Sequence, residues 1–290
     1  YRGDVTSFSD FGFPFLDRLD LDDDRAKWSP RASLTWRFVP DTSAYAAYAR
    51  GFRFPNLEEA VGFTGALFEL RPQDSDSYEI GMKHRSERVS ANLALYWMEV
   101  DDEILFNHEI DAFGFPSPQN VNIDRTRHRG VETWFSVRPF AWLELYGSYT
   151  YDDATIRRDS TATLANLDGN RIPITPRHRG NAGGIVRIPW QWVDTELGAN
   201  VNVVGKRYVA NDLQNEFAKL DDYTTLDVHA TVRPRIGEHV ELALTGRILN
   251  VLNQHYSEFA GERTFSRGEI GYNPSPDTNY ELVLAVTVRR

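Results

Sequence analysis

The stretch Asn279-Tyr280-Glu281-Leu282-Val283-Leu284-Ala285-Val286-Thr287-Val288-Arg289 decides the fold. Tyr280, Leu282, Leu284, Val286 and Val288 occupy alternate positions, so an extended chain places all of them on one face and Asn279, Glu281, Val283, Ala285, Thr287 and Arg289 on the other. One face is wholly apolar and the other mixed, as for a strand with hydrocarbon on one side only.

Working outward from this segment, the pattern repeats. Val240, Leu242, Leu244 and Ile248 oppose Glu241, Thr245 and Arg247, and Leu226, Val228, Ala230 and Val232 oppose Asp227, His229 and Arg233. Leu197, Ala199, Val201 and Val203 oppose Glu196, Asn200 and Asn202, while Leu143, Leu145, Tyr149 and Tyr151 oppose Glu144, Ser148 and Asp152. Candidate strands cover 28–38, 42–52, 76–85, 89–106, 128–138, 142–152, 178–188, 192–206, 223–233, 239–249 and 279–289. Each is long enough for a tilted membrane-crossing strand.

The connections sort by length. Val39-Pro40-Asp41, Arg85 to Arg88, Pro139-Phe140-Ala141 and Pro189-Trp190-Gln191 are tight turns, and the intervening segments are long. Short turns on one side and long loops on the other are the mark of an outer-membrane barrel, whereas a soluble sandwich has no cause to sort its loops. Trp28, Tyr78, Tyr149, Tyr151 and Tyr280 read outward near strand ends, where interfacial aromatic girdles belong. The expected fold is all-β: an antiparallel up-and-down transmembrane β-barrel, here a partial barrel of about eleven strands whose first and last run the same way.

Composition agrees. Of 290 residues 13% are aromatic, with 20 Gly, 14 Pro and only 2 Met, a mixture of strand and turn formers. The net charge is −10 and no basic block stands out, which sets nucleic acid aside as a partner. The absence of cysteine excludes disulfides, thiolate metal sites and cysteine nucleophiles.

Several segments resemble the TonB-dependent outer-membrane receptors. The most specific is Tyr45 to Glu59, in which Arg50-Gly51-Phe52-Arg53-Phe54-Pro55-Asn56-Leu57-Glu58-Glu59 is similar to that family's RGFRxPxLxE segment. Ser77-Tyr78-Glu79-Ile80-Gly81-Met82-Lys83 is similar to its SYExGxK strand, Arg129-Gly130-Val131-Glu132 to its RGVE strand start, and Leu249-Asn250-Val251-Leu252-Asn253-Gln254-His255-Tyr256 to its NLFNxxY. Pro176-Arg177-His178 precedes a descending strand, completing the set in order and spacing.

The resemblance implies a 22-stranded barrel holding a plug, residing in the bacterial outer membrane among its lipids. It also implies active uptake of a scarce nutrient, a ferric siderophore or related iron chelate first, with haem or cobalamin as the alternative and a passive porin-like barrel as the rival. On this reading residues 1–290 are the C-terminal half of the barrel, the plug and the TonB-contacting N-terminal segment lie elsewhere, and the end at Val288-Arg289-Arg290 lacks the family's usual terminal aromatic.

Ligand capture is expected on the long loops. Arg53, Phe54, Phe63, Phe68 and Arg71 lie in one, Arg207 and Tyr208 in a second, and Tyr256, Phe259 and Arg263 in a third. Guanidinium groups and aromatic faces suit a planar, anionic hydroxamate- or catecholate-bearing chelate. No cofactor and no resident metal is expected, because none of the seven histidines has a histidine neighbour at ligand spacing. The acidic run Asp20, Asp22, Asp23 and Asp24 fails the EF-hand pattern, with Arg25 at its sixth position and Arg31 at its twelfth. Asp227 and His229 share a strand face and admit a barrel-embedded hydrolase, but polar lumen faces carry such pairs as a matter of course, so a transporter rather than an enzyme is expected.

Overall fold

A computed structural model describes residues 27–56, 59, 69–110, 116–160, 166–235, 240–263 and 266–288. Among these residues thirteen strands are formed: β1 (Arg31–Val39), β2 (Thr42–Arg53), β3 (Gln73–Arg85), β4 (Val89–Ile110), β5 (Pro116–Phe140), β6 (Leu143–Arg158), β7 (His178–Pro189), β8 (Val193–Val204), β9 (Tyr223–Pro234), β10 (Val240–Leu249), β11 (Ser257–Arg263), β12 (Ser266–Pro274) and β13 (Asn279–Val288). Eleven build one sheet in the order β1 to β10 and then β13, each antiparallel to its neighbours, while β11 and β12 pair separately. All eleven strands read from periodicity are therefore present. Among the described residues the sheet is open, since β1 pairs only with β2 and β13 only with β10.

Register carries one apolar face across the whole sheet. The rung Leu34, Ala46, Ile80, Leu95, Val131, Tyr151 is aligned by four strand pairings in turn and then by the fifth, and each partner has the same outward parity. Likewise Val186, Leu197, Ala230, Gly246 and Leu282 line up through β7, β8, β9, β10 and β13. This face is not covered by protein: Leu34 is 73% and Leu282 75% exposed. A contiguous apolar surface of this extent is untenable in water and requires hydrocarbon. Along β8 the outward positions run from Val193 to Val203, about 33 Å of strand, or about 25 Å upright at a tilt near 40°.

Aromatic rings bound the band at both ends. At the long-loop end stand Tyr48 and Tyr78 (ring centroids 5.2 Å apart), Trp97, Tyr149 and Tyr280. At the short-turn end stand Trp36 with Phe38 at 5.4 Å, the stacked pair Phe140 and Trp142 at 5.3 Å, Trp190 and Trp192. The second girdle was not foreseen: Phe140, Trp142, Trp190 and Trp192 sit in or beside turns where periodicity gives no face, while Trp36 and Phe38 continue the outward alternation of Leu34 on β1.

The polar face is the inside of the curve, where side chains crowd. Four glycines on it lie directly opposite a ring on the next strand: Gly81 opposite Tyr45, Gly130 opposite Tyr96, Gly183 opposite Tyr146 and Gly198 opposite His229. A Cβ added at Gly183 would sit 2.6 Å from the Tyr146 ring, and one at Gly198 2.1 Å from the His229 ring. Each glycine makes room for its partner ring to lie flat over the backbone, a device that permits curvature.

Two segments expected as loops are sheet instead. β4 and β5 continue pairing past the membrane band to Ile110 and Pro116, and a hairpin of β11 and β12 occupies most of the expected loop 254–268. Backbone amides that leave the band still need partners, and cross-strand pairing supplies them without regular apolar alternation.

Candidate ligand-binding rim

The long connections, 54–72, the tip of the β4–β5 hairpin, 159–177, 205–222 and 250–278, all leave the same end of the sheet. Two small apolar cores join 159–177, 205–222 and 250–278 to one another and to β5 and β6. Ile123, Ala154, Ile156, Leu167, Ile172 and Leu213 form the first, and Val209, Leu220 and Ala260, backed by Ile174, Phe217 and Ile270, the second.

Polar side chains close the seams. Asn122, buried on β5, donates to the carbonyls of Arg71 (2.9 Å) and Asp102 (2.8 Å) and accepts from the Arg71 amide (2.7 Å), so the 69–72 segment is clamped to the hairpin. Asn215 does the same between two loops, accepting from the Arg171 amide (2.7 Å) and donating to the Arg171 carbonyl (3.0 Å). Asp212 accepts the amides of Glu216 (2.8 Å) and Phe217 (3.2 Å). Burial pushes its carboxyl above the ordinary aspartate value despite those bonds.

The residues expected to contact ligand fall into separate groups. Arg53 donates from Nη1 to Glu59 (2.7 Å to Oε2) and from Nε to Gln73 (2.8 Å). Burial raises the Glu59 carboxyl, but its bonds to Arg53 and to the Asn56 amide prevail and leave it below the usual value. Phe54 packs edge-on against Phe52 at 5.3 Å. Arg71, its side chain 55% exposed, reaches Asp102 at 2.6 Å and Asp124 at 3.7 Å.

On the far loops Arg207 is only 4% exposed. Its Nη2 donates to the carbonyls of Ser257 and Glu258, both at 2.8 Å, and its guanidinium lies 5.5 Å over the Tyr223 ring, which in turn stacks on Tyr256 at 4.0 Å. Tyr208 carries the Lys219 ammonium over its ring at 4.5 Å. Phe259 is 47% exposed on β11. Phe63 and Phe68 lie outside the described residues, as does the Asp20 to Asp24 run, and of Arg263 only the backbone, paired with Ser266, is described.

The rim thus offers open aromatic surface and guanidinium groups that already face carboxylates. A ligand's acidic groups would share those cations rather than meet bare ones. Asn122, Asn215 and Asp212, which fix the rim, escaped the sequence reading; the only signal for them is a run of Asn and Asp between strands, where left-handed backbone such as Asn215 (φ 58°) is tolerated. Asp227 and His229, on the polar face of β9, are engaged separately: Asp227 accepts from the Asn250 amide at 2.8 Å, and His229 lies 3.6 Å from Glu196. Among the described residues no group of three or more His, Asp or Glu is placed to hold a metal ion.

A family model described as TonB dependent receptor-like, beta-barrel matches residues 1–251. The ferric-pyoverdine 358 receptor of Pseudomonas putida is 27% identical over 238 residues, covering 80% of this chain and 26% of that protein. The ferrichrome outer membrane transporter/phage receptor of Escherichia coli (strain K12) is 26% identical over 211 residues, covering 71% and 25%. The chain therefore spans about a quarter of the length of these curated relatives.

Among solved structures, the copper transporter OprC superposes with a TM-score of 0.68 at 19% identity, over 90% of this chain and 39% of that one. The ferric preacinetobactin receptor BauA of Acinetobacter baumannii gives 0.64 at 20% identity, over 89% and 36%. The ferric yersiniabactin uptake receptor FyuA of Yersinia pestis gives 0.66 at 16%, over 89% and 36%. At these identities the superpositions establish the fold.

Proposed function

Because this chain belongs to the TonB-dependent receptor-like β-barrel family, we propose that it is the C-terminal part of the barrel of an outer-membrane receptor that takes up a ferric siderophore or related iron chelate, driven through TonB. The observation that carries the reading is the combination of an unbroken, girdled apolar face on eleven strands with a packed loop rim at one end. The first supports a place for the sheet in the outer membrane as barrel wall, and the second supports reading the rim as an outward-facing capture surface. That the relatives named above include a ferric-pyoverdine receptor and a ferrichrome outer membrane transporter supports iron chelates as the substrate class. The plug and the TonB-contacting segment belong, on this reading, to sequence beyond these 290 residues.

Within the rim the exposed groups Arg71 and Phe259 make the contacts with the chelate, joined by Arg53, Phe54, Tyr208 and Tyr256. Arg207 acts from behind by fixing β11. A neutral or cationic ligand such as cobalamin is the second reading, favoured by the net charge of −10, which works against attraction of an anion, so that a local basic patch would have to prevail within a Debye length of about 8 Å.

The test is uptake of radiolabelled ferric chelates by cells with and without the protein, in TonB-competent and TonB-deficient backgrounds. Uptake is expected to need both components, and its persistence without TonB would leave a passive pore. Arg71→Ala with Phe259→Ala should weaken chelate binding by roughly tenfold. Unchanged affinity for every anionic chelate would remove the reason for that substrate class.

A further inference from the structure

The polar face is charged in a regular way at the short-turn end, opposite the loop rim. Every strand that runs down to a short turn carries a cation on that face within its last three residues: Arg37 on β1, Lys83 and Arg85 on β3, Arg138 on β5, Arg187 on β7 and Arg233 on β9. Alternation places them on the same side as Gly81, Gly130, Gly183 and His229, inside the curve of the sheet.

The rising strands answer them unequally. β6 starts with Glu144, β8 with Asp194 and Glu196, and β10 with Glu241, all on the same face. Glu144 meets Arg187 at 2.9 Å and Arg138 at 3.7 Å, Glu196 meets Arg187 at 3.5 Å and Arg233 at 3.8 Å, and Asp194 meets Arg235 at 2.6 Å. From β5 to β9 the cations are thus tied into one chain of ion pairs. On β2 and β4 the corresponding positions hold serine: Ser43 lies opposite both Arg37 and Lys83, and Ser90 opposite Arg85. Arg37, Lys83 and Arg85 are exposed, and among the described residues none of the three has an ion-pair partner. Lys83 lies over the Tyr45 ring at 4.5 Å. In a chain of net charge −10, one sector of the inner wall is therefore left cationic.

Like charges on a concave, low-dielectric wall focus the field and gather counter-ions. Charged side chains along a pathway select by sign, provided that binding stays weak enough for release. The bare sector meets both conditions. Arg37 and Lys83 flank Ser43 two strand spacings, about 10 Å, apart, so they attract an anion from two sides without enclosing it.

We propose that this sector is an exit site for anionic substrate: Arg37, Lys83 and Arg85 draw a chelate bearing carboxylate or catecholate oxygens from the lumen to the short-turn mouth. The proposal rests on the transport reading above and extends it from capture to release. It also assigns the substrate a negative charge, because a cationic exit gives a neutral or cationic ligand nothing. Serine at 43 and 90, where β6, β8 and β10 carry acids, keeps the sector open to a passing anion.

The test is uptake by cells making the full-length receptor, with radiolabelled ferric tris-catecholate and ferric citrate as anionic probes and a neutral ferric tris-hydroxamate as control. Binding is read on energy-poisoned cells and the initial TonB-dependent rate on energised ones, at equal amounts of receptor in the membrane. Arg37→Gln with Arg85→Gln should slow uptake of an anionic chelate by roughly tenfold, with its binding unchanged and the neutral chelate little affected. Ser43→Glu with Ser90→Glu, which supplies the missing carboxylates and leaves the arginines in place, should act in the same sense. Anionic uptake indifferent to both variants would overturn the exit site, as would uptake of the neutral chelate alone by the unmodified receptor, and either result leaves iron-chelate transport standing. An equal loss for anionic and neutral chelates would assign the sector to a protein segment and also overturn it. Failure of the unmodified receptor to take up any of the three would instead overturn the transport reading beneath it.

Discussion

Leu284 and Ala285 are neighbours in sequence and on opposite faces of β13, with Leu284 aligned to Leu244 and Ala285 to Ala243. An arginine at 284 must lie in hydrocarbon, whereas one at 285 enters the polar interior. Leu284→Arg should cost about 2 to 4 kcal/mol when placed near the bilayer midplane, and Ala285→Arg much less. Denaturant titration in bilayers measures both, and equal costs would mean the faces are assigned the wrong way round. Single side chains also govern the rim. Asp124 accepts hydrogen bonds from the Ser160 hydroxyl (2.5 Å) and amide (2.9 Å), which, with Arg158 and Arg71 against the effect of burial, hold its carboxyl below the ordinary aspartate value of 3.8. A lowered folded-state value means stabilisation that is complete above about pH 3.8 and lost as the pH falls through the lower folded value. The tie of Ser160 to β5 should therefore hold at neutral pH and release only in strong acid. Asp124→Asn should loosen it at pH 7, read as faster proteolysis near Ser160 than in the unmodified protein; identical cleavage would show that the carboxylate is not what holds this loop.

At the scale of strands, the glycine and ring pairs set how closely neighbours approach. In Gly183→Ala the new Cβ meets the Tyr146 ring at 2.6 Å and the Ala199 carbonyl oxygen at 2.6 Å, and the backbone oxygen cannot swing aside. The substitution should cost about 1 to 3 kcal/mol. Gly246→Ala, where an added Cβ meets nothing within 4 Å and points to lipid, should cost little by comparison. Comparable losses at the two positions would argue that strand glycines act through backbone entropy and not through room for the ring. The link after β10 is fixed in another way: Asn250, at φ 53°, donates its amide to Asp227 (2.8 Å), and its carbonyl accepts from the Thr278 hydroxyl (2.9 Å). The Leu249 to Tyr256 motif is thus the joint that holds β9, β10 and the start of β13 in register.

For the molecule as a whole, the open sheet is the governing feature. Among the described residues β1 and β13 each present an unpaired edge of backbone donors and acceptors on a strand exposed along its entire length. Produced as these 290 residues alone, the chain should associate through those edges in detergent, giving a light-scattering mass above the monomer. A stable monomer with the heat-modifiable mobility of a closed barrel would count against an open sheet. What the sequence by itself determined is the transmembrane β architecture: alternation such as Tyr280 to Val288 sets each strand's two faces because successive side chains must point oppositely, and unequal connections set the two ends. The expected ligand residues were legible only as types of chemistry. Whether Arg207 is open or sealed under Ser257 and Glu258, and whether Arg127 meets Glu99 or Trp97, depends on contacts between segments far apart in the chain. Those contacts follow no period, so only the tertiary structure decided them.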